Sequence, residues 1–473
     1  MAGINQNQTK SNSTIKAMQI NDILKLSPTD AVEQLTRKPF TPPEWANLEK
    51  EFNPAKHPVT DKSKYPDKVA DGHVEEVTRI TLNYQQLATK RMSELVCGIP
   101  IKRIYSPADD KQREASECLE AIFQRNRIDS LNIERCNALF SSCEILTLWY
   151  ATEEPNRLYG FDSPLKLRCK TYSPRDHAEL YPLFDEYGDL IALSIGTQHK
   201  EVNRTVRYLD VYTSTQHRTY RSADTEWTLI AEEQINIGKI PAIYCMRPTP
   251  IWEDTSRIVY EMEWALSRNG NYLRKNSKPI FAVFADEEIA FAAEQDERKE
   301  YRAVVQYPKG SQAGYLTWSQ AIDSLKFYIA ELRQSFFTQL QLPDWSYESM
   351  KSTPMSGESR KQLFIDAQLK VTEESGRLLA FYDREVNVVK AFLAQLRPDL
   401  AEAIEALPVE VVITPYQIAE ERDTILNLLA ANGNRPLISQ REAIEQLGWS
   451  TNALDTLHEI QAEQTLNAYE IAE

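Results

Sequence analysis

Between Glu358 and Leu396 the chain keeps one apolar face for close to forty residues. Phe364, Ala367, Val371, Leu378, Tyr382, Val386, Val389, Leu393 and Leu396 recur at helical spacing, and Pro398 ends the run. At 1.5 Å per residue this predicts a rod of roughly 60 Å. A second helix is expected just before it, from about Gln320 to Gln341, with a stripe of Ala321, Leu325, Tyr328, Ile329, Leu332, Phe336 and Leu340. Between the two stands LPDWSYESMKSTPMSGESRK, Leu342 to Lys361. It has two prolines, a glycine, many Ser, Thr and Tyr hydroxyls and no apolar periodicity. Such a segment is a connector or a tool that the two helices hold in place.

With 473 residues the chain is long for one core, so several packed regions are expected. No run of 18 or more uncharged apolar residues occurs, which excludes a helical membrane span. The opening MAGINQNQTKSNSTIKAMQ has no apolar stretch typical of a secretory signal, and reads as a loosely tied arm. Net charge is −15, the opposite of the basic footprint of a simple nucleic-acid binder. It is compatible with a surface past which DNA slides. Glycine, at 14 of 473 residues, is too scarce to favour a dinucleotide or phosphate-cradling loop. The six cysteines, Cys97, Cys118, Cys136, Cys143, Cys169 and Cys245, are irregularly spaced without a C-x-x-C pair, and read as small buried hydrophobes in a reducing compartment.

The elements in order give a helix-rich α+β chain. A short helix candidate, INDILKLSPTDAVEQLTRK, precedes a proline-rich linker, PFTPPEWANLEKEFNPAKHP. Helical spacing of Val77, Ile80, Tyr84, Leu87, Ala88, Met92 and Leu95 predicts a helix from Val74 to Cys97, stopped by Gly98 and Pro100. Two further helices, near 110–126 and 130–140, run into a strand, EILTLWYATEE. Residues 165 to 246 are short β-branched and aromatic runs between turns, an antiparallel region. Helix returns at 253–276, with Ile258, Met262, Ala265, Leu266 and Leu273 on one face. Two strand candidates, KPIFAVFA and RAVVQYP, lie in the segment from Ser277 to Trp318. Beyond Pro398 come a strand, PVEVVITP, a helix, YQIAEERDTILNLLAANGN, and a small helical tail from Pro436.

Catalytic templates are absent: no phosphate-binding, nucleophile-elbow or H-E-x-x-H motif occurs. The six histidines are mutually distant and read as surface or satisfied core residues. Asp176, His177, Asp185 and Glu186 gather within SPRDHAELYPLFDEYGD, where a solvated hairpin is the simpler account than an acid-rich hydrolase. Glu75 with Glu76, and Glu373 with Glu374, read as solvated helix faces.

Several stretches, in this order, resemble the portal proteins of tailed double-stranded DNA bacteriophages, the long-tailed siphophage type in particular. They are ITLNYQQLATKRMSELVCGIPIK, YSPRDHAELYPLFDEYGDLIALSI, LDVYTSTQHRTYR with IGKIPAIY, LQLPDWSYESMKSTPMSGESRK, and LISQREAIEQLGW with HEIQAE. The resemblance runs from about residue 74 onward. The first strand of the 277–318 segment departs from it, with FAVFADEE where a glycine is expected.

The resemblance implies a portal fold of wing, stem, clip and crown around a central channel. Residues 1–73 would be an arm and linker, 74–253 the wing, 254–276 and 320–341 two stem helices, 277–319 the clip, 342–357 a tunnel loop, 358–435 the long wing helix with its following strand and helix, and 436–473 the crown. The tunnel loop would present Trp345, Ser346, Tyr347, Ser349, Met350, Lys351, Ser352, Thr353 and Met355 to DNA, with Lys351 its only cation before Arg360. Glu261, Arg268, Lys275, Lys326 and Arg333 would line the channel. Asp286, Glu287, Glu288, Arg298 and Lys299 would meet partners at the clip. Trp252, Trp264, Phe336 and Phe337 are aromatics for either a subunit interface or the core.

Such a protein is not an enzyme and takes no cofactor or metal. Its implied partners are about eleven further copies of itself, giving a ring of about twelve, double-stranded DNA, the large terminase, a head-completion adaptor, and major capsid and scaffold proteins, but no membrane. It would assemble in the host cytoplasm and reside at one vertex of the virion. A helical scaffold or adaptor without a channel is the alternative.

Overall fold

The computed structural model describes residues 20–38, 40–70, 73–201, 204–276, 280–284, 312–316, 322–344 and 364–416, with residue 346 and short pieces at 439–440, 457 and 459–462. Two units are distinguished, Met1–Trp345 with Asp366–Tyr416, and Ser346–Ile365 with Gln417–Glu473. Within the second, the described residues are Ser346, Phe364, Ile365 and the pieces beyond 438, including a helical stretch at 459–462. The expected strand RAVVQYP, the helix YQIAEERDTILNLLAANGN and most of the tail lie outside the described residues.

The first unit mixes helix and strand. Helices α1 (Ile20–Ile23), α2 (Pro28–Leu35) and α3 (Trp45–Phe52) open it, followed by a two-stranded ribbon of β1 (Lys68–Ala70) and β2 (His73–Glu75). Ser27 caps α2 by accepting from the Asp30 N–H. Then come α4 (Tyr84–Cys97), β3 (Lys102–Tyr105), α5 (Asp110–Arg125), α6 (Ile128–Ser142), β4 (Glu144–Thr152), β5 (Lys166–Tyr172), β6 (Glu179–Phe184), β7 (Leu190–Glu201), β8 (Arg204–Tyr212), β9 (Gln216–Ser222), β10 (Thr228–Gln234) and β11 (Ala242–Met246). The rest is α7 (Ser256–Asn276), β12 (Ile280–Phe284), β13 (Gln312–Leu316), α8 (Ile322–Leu340), α9 (Ile365–Leu396), α10 (Ala401–Ala406) and β14 (Val409–Val412).

Strands β6 to β10 form an antiparallel meander in sequence order, and β11-β4-β5 a second sheet with β5 at its edge. Period-two alternation divides the meander between two cores. Ala192, Leu209, Val211 and Tyr220 meet α1 and α2, while Leu180, Leu193 and Ile195 meet Leu146, Leu148, Ala242 and Tyr244 of the second sheet. Strand β14 returns to pair with β3, and β12 pairs with β13 in register Ile280 to Leu316. The second strand of that ribbon is QAGYL, which the sequence reading passed over.

Three expectations need correcting. The proline-rich stretch after residue 39 is no slack linker: α3 buries Leu48, and His57 is fully buried with hydrogen-bonding neighbours on both ring nitrogens, Glu263 Oε1 at 2.6 Å and the Glu51 carbonyl at 2.7 Å. The helix expected from Val74 starts only at Tyr84, and Glu75 and Glu76 stand on extended chain. Residues 78–82 run extended and antiparallel along α7. Alternate backbone N–H groups donate to its side chains: Thr78 to Asn271 Oδ1 at 2.5 Å, Ile80 to Ser267 Oγ at 2.8 Å, Leu82 to Glu263 Oε1 at 2.7 Å. A Cβ at Gly270 would meet the Thr78 methyl at 3.0 Å, so glycine permits this approach. The buried face of α7 is therefore Val259, Met262, Glu263 and Ser267, and Leu273 is exposed.

The third correction concerns α9, whose described part is 32 residues, about 48 Å of helix. Its apolar face is buried as expected, but it also carries Glu374 and Glu385. Glu374 is no solvated residue; it accepts from Arg247 at 2.8 Å and Arg377 at 3.2 Å. Glu385 takes both arms of Arg135, at 2.7 and 3.0 Å, and the Trp149 indole N–H at 2.9 Å.

Candidate functional site

The described residues fix the root of the 342–357 segment. Helix α8 ends in a Schellman motif: Gln341 takes the left-handed conformation at φ 57°, its N–H donates to the Thr338 carbonyl, and the Leu342 N–H donates to the Phe337 carbonyl. Leu342 is buried, supplying the apolar contact that accompanies this motif. A residue without glycine's freedom at this position costs about 1 kcal/mol, so the sharp exit is held by its surroundings.

Three cations from three helices do the holding. Arg91 of α4 donates to the Pro343 carbonyl at 3.1 Å, reaches the Asp344 carboxylate at 3.7 Å and lies over the Phe337 ring. Arg333 of α8 grips the other Asp344 oxygen at 2.5 Å. Lys370 of α9 donates to the Leu340 carbonyl, the last of α8. Burial brings the Lys370 ammonium down to about 8, and the nearby Arg247 guanidinium adds to the shift. Beneath them Tyr84 packs edge-on against Phe336 at 4.8 Å. This arrangement presents donors to carbonyls and one carboxylate. It can orient a chain segment, and it holds no nucleophile–base pair.

Of the residues expected to line a channel, Arg333 belongs to this root. Glu261 accepts from the Tyr328 hydroxyl at 3.1 Å, a tie between α7 and α8. Arg268 is exposed and lies over the Trp264 ring, and Lys326 is exposed on α8. The side chain of Lys275 lies outside the described residues, as do Trp345, Tyr347, Ser349, Met350, Lys351, Ser352, Thr353 and Met355 of the loop, and Asp286, Glu287, Glu288, Arg298 and Lys299 of the expected clip. Ser346 is described as a single position. Trp252, Phe336 and Phe337 are buried within the protomer, which assigns them to its core, while Trp264 packs edge-on against Tyr65. Arg91, Lys370 and Asp344 were not singled out from sequence. Their partners are backbone carbonyls or side chains 11 to about 250 positions away, which leave no local signature.

The acid cluster does not assemble into a catalytic site. Asp176 accepts from Ser173 Oγ before β6, whereas Asp185 accepts from the Tyr187 and Asp189 N–H groups after it. The six-residue strand holds them about 20 Å apart. His177 and Asp176 do line a cavity of about 900 Å³ with Arg175, Lys170 and Glu134. Among the described residues no group of three or more His, Cys, Asp or Glu side chains converges as metal ligands would, and no helix is long and apolar enough to cross a membrane.

No curated protein matches the chain. Solved structures similar to it include a chain of the virion of a native gene transfer agent particle, 11% identical, covering 88% of this chain and 96% of that one at a TM-score of 0.40. Another is a chain from the neck of an empty gene transfer agent particle computed with C6 symmetry, 11% identical with the same coverage and a TM-score of 0.42. Likeness this distant carries no argument about function. The family model for phage portal proteins of the SPP1 Gp6-like type, however, matches residues 50–468. That span runs from the last turn of α3 past β14, including the braced loop root between α8 and α9, and the chain belongs to the SPP1 Gp6-like phage portal protein family.

Proposed function

We propose that about twelve copies of this chain close into a ring at one vertex of a capsid, and that double-stranded DNA enters and leaves through its centre. Family membership supports a portal and connector role. The observation that carries the finer reading is the braced exit from α8. A segment projecting from a long-helix framework needs a fixed root if it is to act on something in a channel, and Arg91, Arg333 and Lys370 supply one. In this reading α7 and α8 are the stem, residues 277–319 the clip that receives the terminase and later a head-completion adaptor, and residues 436–473 the crown.

Two properties of the protomer support assembly. Leu273, Phe327 and Leu369, on α7, α8 and α9, are 53%, 66% and 65% exposed, apolar area that a neighbouring copy would cover. About twelve copies at −15 each carry roughly −180 charges, a strongly acidic ring that repels phosphates and keeps DNA sliding. The loop's hydroxyls and Lys351 then make sequence-independent contacts to the DNA backbone.

Negative-stain electron microscopy with native mass measurement tests this. Rings with a central hole are expected. Failure to close a ring at any concentration, with scaffold protein supplied, overturns the channel and leaves a helical adaptor. In rings that form, Lys351→Glu should reduce packaging with assembly intact.

A further inference from the structure

In a chain of net charge −15, one concavity among the described residues gathers four cations. Arg125, Asn126, Arg127, Tyr150, Tyr159, Lys166 and Arg168 are among the residues around a cavity of about 410 Å³, within the size range of small-ligand pockets. Four of these are cations, and no carboxylate is among the lining residues. The elements explain the placement. Lys166 and Arg168 sit two apart on edge strand β5 and so share a face; Tyr150 pairs with Arg168 across β4. Arg125 and Arg127 belong to the tight joint between α5 and α6.

Two details leave this wall short of negative charge. Arg127 adopts the left-handed conformation, φ 51°, at the N-cap of the 15-residue α6. Polar caps such as Ser, Asp or Asn are usual at that position, yet here no side chain caps the helix and a cation stands there instead. Competing acids are few. Glu154 binds Arg168 at 2.6 Å and Lys166 at 3.2 Å, one carboxylate for two cations, and Asp129 in the first turn of α6 stands 4.0 Å from Arg103.

We propose that this pocket binds phosphate groups, with Arg127 and Arg168 as their principal ligands. Planar guanidinium forks match the bidentate geometry of phosphate oxygens. The phosphates come either from a free pyrophosphate-bearing small molecule or from the backbone of nucleic acid. The site is remote in sequence from the loop root and stands whether or not a ring forms.

The test uses the full chain in low salt. Inorganic pyrophosphate is titrated by calorimetry, and a short fluorescent duplex DNA by anisotropy, with an oligoglutamate of equal charge as competitor. Arg127→Gln is compared with Arg113→Gln, which removes the same charge from an exposed position on α5, and circular dichroism confirms folding of both. Arg127→Gln should weaken binding about tenfold, the worth of one charge-assisted contact, while Arg113→Gln leaves it within about twofold. Pyrophosphate binding without DNA binding identifies a free phosphate compound, and DNA binding identifies the phosphodiester backbone; both support the site. Absence of binding by the parent chain, equal loss in both variants, or equally strong binding of oligoglutamate overturns it.

Discussion

Replacing Glu385 with alanine removes the carboxylate on which the helical and sheet parts of the first unit converge. Arg135 and Glu385 are buried, and Glu385 also accepts the Trp149 indole N–H. Burial works against the Arg135 charge, but the Glu385 carboxylate outweighs it and holds the guanidinium above its ordinary value, so Arg135 stays charged. Without Glu385 it retains only neutral acceptors, Asn132 at 2.9 Å and Thr171 at 3.4 Å. Stranding a buried charge costs about 3–5 kcal/mol, and orphaning the Trp149 N–H adds about 1 kcal/mol. Roughly 4–6 kcal/mol is a large share of the stability of any domain. Urea unfolding at fixed protein concentration, followed by tryptophan emission, reads the loss directly. With a slope near 3 kcal/mol per molar, the midpoint should fall by about 1.3–2 M. The double variant Arg135→Met with Glu385→Met removes both charges and should recover most of the loss. A Glu385→Ala midpoint within about 0.3 M of the parent, or a double variant no better than the single, refutes the account.

At the loop root, Gln341→Gly should stabilise by about 1 kcal/mol by relieving the left-handed conformation, read as a higher thermal midpoint; a lower one contradicts the Schellman exit. Lys370 is held at about 8 in the folded chain against 10.5 unfolded. The unfolded state therefore binds more protons between those values, and stability should rise from about pH 8 to pH 10.5, by up to about 3 kcal/mol. Lys370→Met should remove that increment from the difference curve. Ser267→Ala leaves the Ile80 N–H without its acceptor and should cost about 1–3 kcal/mol, with faster hydrogen exchange at that amide. Five cysteines are buried and Cys169 is half-buried with its thiol raised by burial to about 11, so no thiol should react promptly with a disulfide reagent near neutral pH, and six should after denaturation.

Local pattern revealed most elements of this fold, because α5, α6, α7, α8 and the meander advertise their periods within ten or twenty residues. It failed where a distant partner overruled the local period. Val77, Ile80 and Tyr84 have helical spacing, yet residues 78–82 are extended because Asn271, Ser267 and Glu263 claim their N–H groups. Glu374 and Glu385 look like solvated acids until Arg247 and Arg135 are placed beside them. Among the expected channel residues Arg333 proved part of the loop root, but its partner Asp344 follows a buried turn whose other restraints come from Arg91 and Lys370. The basic pocket has a short trace in the sequence, Lys166 and Arg168 two apart on one strand, but Arg125 and Arg127 join it only through the fold.

The contact between residues 78–82 and α7 behaves as a vernier. Four residues of helix advance about 6.0 Å, and two residues of extended chain about 6.6 Å. Counted from Thr78, the two scales therefore drift by about 0.6 Å at every step, a mismatch that side-chain reach absorbs at Ile80 and Leu82. A fourth mark would be nearly 2 Å out, too far for a hydrogen bond, so the strap is self-limiting in length. It is also indexed: α7 cannot creep along it by a fraction of a step without breaking all three bonds at once. Axial load on that helix is either borne whole by the strap or released in jumps of about 6 Å.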